Sequence, residues 1–201
     1  MIISEVMKTT VMTGRPHEDA ADVLTKMNRE KIRHLPVVNE EERLIGIISD
    51  RDLASASKNT LDEIMITDVH TAFPGDFVEE AAWTMMENKI HCLPVVDGED
   101  KIIGIITDTD LLKTLVTLTG ADRPSSRIEI EVDDKPGMLA EVTEAVRVSG
   151  LNIRSLFILP GKEQSMRIVM RVQTMNPHPL LELFSQKNWE ILWPKESEWN
   201  I

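Results

Sequence analysis

Residues 31–53 read KIRHLPVVNEEERLIGIISDRDL, and residues 89–111 read KIHCLPVVDGEDKIIGIITDTDL. Aligned without gaps at an offset of 58, the two stretches agree at 14 of 23 positions. The register extends backwards: Met7-Lys8-Thr9 falls on Met65-Ile66-Thr67, Pro16 on Pro74 and Met27 on Met85. A fixed internal period marks a copied supersecondary unit that cannot bury its apolar face alone. The two copies occupy residues 1–62 and 63–120, and residues 121–201 do not repeat the pattern.

Each copy follows one grammar. A β-prone stretch (Thr10-Val11-Met12-Thr13; Asp68-Val69-His70-Thr71) runs toward Pro16 or Pro74. The spacing of Ala20, Val23, Leu24 and Met27, and of Val78, Ala81, Ala82, Met85 and Met86, predicts an amphipathic helix. Two Val- and Ile-rich runs joined by an acidic turn predict a pair of strands. A short helix opens at each Asp-x-Asp-Leu. The sum is a β-α-β-β-α unit in an α+β protein, with two copies packing sheet to sheet around a shared core. Gly46 and Gly104 fall inside the last strand, where glycine marks a bulge or a close approach to the backbone.

Chemistry concentrates where that strand ends, at Gly46-Ile47-Ile48-Ser49-Asp50-Arg51-Asp52 and Gly104-Ile105-Ile106-Thr107-Asp108-Thr109-Asp110. Amides at a helix start attract anions, and a Ser or Thr hydroxyl adds a donor. An aspartate three residues on can accept from the adjacent hydroxyls of a ribose. The same residues also make good helix caps, and aspartate there complements the helix dipole. Both readings stand on the sequence.

The formal net charge is −12, and residues 1–120 hold 22 acidic against 12 basic residues. That balance disfavours nucleic acid or an anionic membrane as partner. No apolar run reaches the ~18 residues needed to cross a bilayer. The N-terminal MIISEVMKTTVMTGRP lacks the apolar stretch of a signal peptide. A single cysteine, Cys92, suits a reducing compartment, so a cytoplasmic protein is expected. No CxxC, HExxH or Gly-rich phosphate loop with Lys occurs, and Cys92 beside His91 has no evident third partner. These features point to a non-enzyme with neither catalytic residues nor a metal or catalytic cofactor.

The pairing of LPVV with GIISDRD, and again of LPVV with GIITDTD, resembles a tandem of CBS domains (a Bateman module) over about residues 1–120. The resemblance implies two units packed about a pseudo-twofold axis, with a cleft for AMP, ADP, ATP or S-adenosylmethionine. It implies that Asp52 and Asp110 hold ribose hydroxyls and Ser49 and Thr107 the phosphate. Thr10, Val11 and Met12, Asp68, Val69 and His70, and His34 and Cys92 would line the adenine. Arg15, Arg33, His34 and Arg51 gather around the first site, a set suited to phosphate. The second has Phe73, His91, Cys92 and Thr109 at the matching positions, so the first is expected to prefer the more phosphorylated ligand.

GADRPSSR (120–127) is turn-rich and predicts a linker at 121–127. Beyond it, Ile128 to Val132 alternate as a half-buried strand. Leu139, Val142, Ala145 and Val146 share a helix face that stops at Gly150. Asn152–Leu159 and Met166–Val172 read as a hairpin, Pro179–Gln186 as a helix and Trp189–Trp193 as a strand. That order, β-α-β-β-α-β, is ferredoxin-like. DDKPGMLAEVTEAVRVSGLNI resembles the opening of an ACT domain, placed at 128–201. The resemblance implies a small effector such as an amino acid near Asp134, Gly137, Met138, Leu139, Asn152 and Ile153, or a purely dimerising role.

Two sensor-like modules without an enzyme domain imply a regulatory protein, homodimeric and acting on another protein. A CBS pair followed by an ACT domain in about 200 residues is similar to the acetoin-utilisation proteins of Bacillus-type bacteria, which implies a link to acetoin catabolism. The alternatives are a dimerisation scaffold with empty clefts or an accessory subunit of an enzyme or transcription factor.

Overall fold

The computed structural model describes residues 1–55 and 59–195. Chain contacts divide it into two compact units, Met1–Lys113 and Thr114–Ile201.

In the first unit, helix α1 (Ala20–Glu30) is followed by strands β1 (His34–Val38) and β2 (Leu44–Ser49) and helices α2 (Asp50–Ser55) and α3 (Leu61–Ile64). Helix α4 (Val78–Asn88), strands β3 (Cys92–Val96) and β4 (Ile102–Thr107) and helix α5 (Asp108–Thr119), whose residues beyond Lys113 belong to the second unit, repeat the pattern. Asp19 caps α1 by accepting from the amides of Ala21 and Asp22 at 2.9 and 3.2 Å. Lys31 and Lys89 end α1 and α4 in the left-handed conformation, turning the chain into the strands. The β1–β2 and β3–β4 hairpins are antiparallel, each with a register shift at its second Val (Val37/Val38; Val95/Val96).

The leading strands expected at Thr10–Thr13 and Asp68–Thr71 do not form. Each leader touches its hairpin through one parallel bridge, Gly14 to Val37 and Ala72 to Val95. Glycine at 46 and 104 has a more specific cause than the hairpin irregularity. A Cβ on Gly46 would lie 2.5 Å from Met65 Sδ and 3.2 Å from the Ile66 carbonyl oxygen. On Gly104 it would collide with Met7 Sδ and lie 3.2 Å from the Lys8 carbonyl oxygen. What approaches the backbone is the protein's own chain.

Those contacts are reciprocal. Lys8 of the first leader bridges Ile105 on β4, and Ile66 of the second bridges Ile47 on β2, at distances of 2.9–3.0 Å. Ile2–Phe77 and Asp19–Thr60 form another such pair, while Arg43–Lys101 is its own mate under the offset of 58. The repeats are therefore related by a pseudo-twofold operation, with leaders exchanged. The single shared core does not form; two cores do. Leu35, Val37 and Ile48 build one, which Leu61, the mate of Ile3 at the offset of 58, completes. Leu93, Val95 and Ile106 build the other, completed by Ile3 from the first repeat.

In the second unit, β5 (Ser126–Asp133), α6 (Met138–Val148), β6 (Ile153–Pro160), β7 (Ser165–Val172), α7 (His178–Gln186) and β8 (Glu190–Trp193) follow in order. The sheet order is β6-β7-β5-β8, all antiparallel, as in a ferredoxin-like β-α-β-β-α-β arrangement. β5 begins at Ser126, inside the stretch expected to be linker. Ile128, Ile130 and Val132 meet Val142, Val146 and Phe184 in a single core.

Candidate functional site

Leader exchange decides which side chains meet. A cleft of about 790 Å³ in the first unit joins Thr10, Val11 and Met12 to Arg33, His34, Ser49 and Arg51 of the first repeat. It also takes His91, Thr107 and Thr109 from the second. A smaller cleft of about 210 Å³ joins Asp68, Val69 and His70 to His91 and Cys92, with His34, Ser49 and Asp52 from the first repeat. Each cleft is a composite of both copies, whereas the sequence reading assigned one set of residues to one repeat. Asp110, 5% exposed, lines neither.

The strand ends are held by caps. The Ser49 hydroxyl donates to Asp52 Oδ2 at 2.6 Å, as does the Ser49 amide at 3.0 Å. The Asp52 amide returns a long 3.3 Å bond to Ser49 Oγ. Thr107 and Asp110 repeat this at 2.6, 3.2 and 3.4 Å. This reciprocal pattern is a capping box with aspartate as its third helical residue. It tethers the hydroxyl expected to meet phosphate, while the side-chain bonds to Asp52 use Oδ2 alone.

Electrostatics separate the clefts. Lys8, Lys31, Arg33 and Arg51 face Asp50 and Asp108 in the larger one, four cations to two anions. The smaller sets Lys89 against Asp52 and Asp68, among three histidines. Arg15 takes no part: it donates to the Asn39 carbonyl and to Glu42 at the β1–β2 turn. Phe73 lines neither cleft and lies half exposed. The amides of Asp50 and Asp108 donate to the carbonyls of Arg33 and His91 at 3.0 Å, tying each helix start to the strand entry beside it.

Burial, then the neighbouring His91, holds His34 below the ordinary histidine range, against the pull of Asp50 and Asp108. Burial, with Asp108 adding to it, pushes the Cys92 thiol up to about 12. Cys92 is thus an inert thiol at neutral pH, unlike the thiolate a cysteine nucleophile needs. Among the described residues no group of three or more His, Cys, Asp or Glu could hold a metal ion, and no helix is long and apolar enough to cross a membrane.

Sequence reasoning missed Lys8, Lys31, Asp50, Lys89 and Asp108. A signal for four of them was present: Lys31/Lys89 and Asp50/Asp108 are identical in the copies although polar. In the second unit the expected effector residues do not converge within one chain. Asp134 follows Asp133, which pairs with Ser165, whereas Ile153 pairs with Val172 at the other end of β7. Seven residues of strand separate these ends, roughly 24 Å. Gly137, at φ +89°, and half-exposed Leu139 flank the α6 start, Met138 is buried in the core, and Asn152 accepts from the Gln173 amide.

Residues 3–59 and 61–117 each match the CBS domain family, so more than half of the chain is covered. The chain belongs to the CBS-domain family. Its fold is similar to that of the CBS domain pair of protein MJ0100, solved with 5′-methylthioadenosine and S-adenosyl-L-methionine. That pair is 29% identical, with a TM-score of 0.55, over 57% of this chain and 99% of the other. A protein ascribed to acetoin utilization (AcuB) from Vibrio cholerae is 33% identical, with a TM-score of 0.55, over 62% of this chain and 98% of its own. A homoserine O-acetyltransferase of Methanosalsum zhilinae is 35% identical over 116 residues, which are 56% of this chain but 24% of that enzyme. Among eight curated relatives the chain spans between 18% and 61% of the relative's length.

Proposed function

We propose that this chain is a non-catalytic regulatory protein whose larger cleft binds an adenosine-containing ligand: AMP, ADP, ATP or S-adenosylmethionine. The observation that carries the reading is the composition of that cleft. Thr10, Val11 and Met12 line it together with Arg33, Arg51, Lys8, Lys31, Ser49 and Thr107. A volume of about 790 Å³ lies in the range of small-molecule sites. The excess of cations favours the phosphorylated members of the set, and the likeness to MJ0100 with its two adenosine ligands supports the class. The small cleft, at about 210 Å³ and with Asp52 and Asp68, suits a nucleobase-sized or cationic group. Asp52 serves ribose from that side only.

The second unit we read as an ACT domain over 128–201, following CBS domains at 1–62 and 63–120 and a linker at 121–127. Its candidate effector residues lie at opposite ends of one sheet, so an amino-acid site there draws on two chains, which agrees with a homodimer. A target in acetoin utilisation is supported by the 33% likeness to the Vibrio cholerae protein. The protein is read as cytoplasmic, acting on a target protein rather than on nucleic acid or a membrane.

Calorimetric titration of the full chain with AMP, ADP, ATP, S-adenosylmethionine and 5′-methylthioadenosine tests the reading. Saturable binding of at least one, strongest for a phosphorylated ligand, is expected. No heat and no thermal shift with any of the five at millimolar concentration would leave an unliganded scaffold instead.

A further inference from the structure

We propose that His34 and His91 form a proton-linked wall shared by the two clefts: a ligand phosphate in the larger cleft binds together with a proton taken up on His34. The proposal rests on the adenosine-ligand reading above. Both histidines line both clefts, and their ring centroids lie 6.5 Å apart at an interplanar angle of 34°. They are not copies of each other, since His34 aligns with Cys92 and His91 with Arg33. The pair therefore exists only because residues of both repeats meet in one place.

The groups facing His34 come from both repeats. Arg33 and His91 oppose a proton on it, and Asp50 and Asp108 favour one. His91 Nδ1 lies 3.2 Å from Asp108 Oδ2, which fixes the second ring. Lys8, Lys31 and Arg51 stand further round the larger cleft. Asp52, Asp68, Lys89 and His70 stand round the smaller. His34 is partly buried, and that burial with His91 and Arg33 holds it below the ordinary histidine range in the unliganded site. A phosphate drawn in by Arg33 and Arg51 adds negative charge beside the ring, which favours the imidazolium. The imidazolium in turn gives the phosphate another charge-assisted donor.

The sign follows from linkage. The ligand raises the proton affinity of His34, so binding consumes a proton. Affinity then climbs as pH falls from above the liganded pKa and levels off below the free one. One proton per ligand sets a ceiling of about tenfold per pH unit. Because the wall is common to both clefts, the new charge also changes the field in the smaller one.

The test is calorimetry of AMP binding to the full chain at pH 7.0 and 8.5. Ligand phosphate is then mostly dianionic, since such a group loses its second proton near pH 6. Two buffers of different ionisation enthalpy read proton uptake directly, and adenosine serves as the phosphate-free control. Expected are an affinity about threefold to tenfold higher at pH 7.0, uptake with AMP and none with adenosine. His34→Asn should abolish the uptake. His91→Gln should shrink it, because the free protein then holds the proton more readily. Heats independent of buffer, or uptake that survives in His34→Asn, would overturn this proposal and leave nucleotide binding standing. Absence of any AMP binding to the unaltered chain would overturn the nucleotide reading and this proposal with it.

Discussion

The two copies of the repeat differ at nine of 23 positions between 31/89 and 53/111, and the differences are not scattered. Five fall in the hairpin turn and strand entry, at 39, 40, 42, 43 and 44 with their mates. The other four are 33, 34, 49 and 51, and every residue at these positions in both copies lines a cleft. The positions that agree include the buried Leu35, Val37 and Ile48 and the aspartate of each capping box. Copying has preserved what packs and caps, and the differences outside the hairpin turn all fall on cleft-lining positions, although Lys31/Lys89 and Asp50/Asp108 line the clefts unchanged. One scaffold thereby holds a large basic cleft and a small one rich in histidine.

The sharpest contrast between equivalent positions is His34 against Cys92. With the thiol pushed from 9.0 to about 12, native Cys92 carries about a thousandfold less thiolate at pH 8 than in the unfolded chain. Labelling by a disulfide reagent should be negligible in buffer and rapid in denaturant. Equal rates would remove the buried-wall account. The same gap makes stability decline as pH rises past 9.0, because the unfolded chain ionises first.

The shared scaffold makes the next prediction symmetrical. Leu35→Ala and Leu93→Ala each empty a fully buried site and should each cost about 2–5 kcal/mol in urea unfolding. A cost confined to one copy would show that the cores are not equivalent. Gly46→Val and Gly104→Val push Met65 and Met7 off the strand and should each cost about 1–3 kcal/mol. Chemical unfolding checks this too, and a neutral result would mean the leaders are only loosely seated. Ser49→Ala and Thr107→Ala remove one cap each, at about 1 kcal/mol apiece, read as a shift in thermal midpoint. A loss limited to one copy would end the claim that both caps hold their helices alike.

Much of this was legible beforehand. The period of 58, the Val- and Ile-rich hairpins and the apolar spacing of α1, α4 and α6 follow from local residue pattern. What was not legible is long-range. Nothing local in Met7-Lys8-Thr9 says that it leaves its own repeat to cover Gly104. For that reason the leading strands were expected where only single bridges form, and the residues of each cleft were sorted by repeat. Gly46 and Gly104 carried the clue, a close approach, without naming its partner. The Ser-x-x-Asp spacing could not separate a cap from a ligand contact, because both use the same donors and acceptors.

The central claim is that the larger cleft holds a phosphorylated adenosine ligand through residues the second repeat lacks. The direct measurement is the affinity of AMP relative to adenosine, by calorimetry, for the unaltered chain and for the Arg33→Ala, Arg51→Ala double variant. Each charged contact contributes about 1.5–3 kcal/mol. AMP should therefore bind at least about tenfold more tightly than adenosine in the unaltered chain, and the double variant should erase that preference while adenosine binding persists. Equal affinities for AMP and adenosine in the unaltered chain, or a preference that survives without both arginines, would contradict the account.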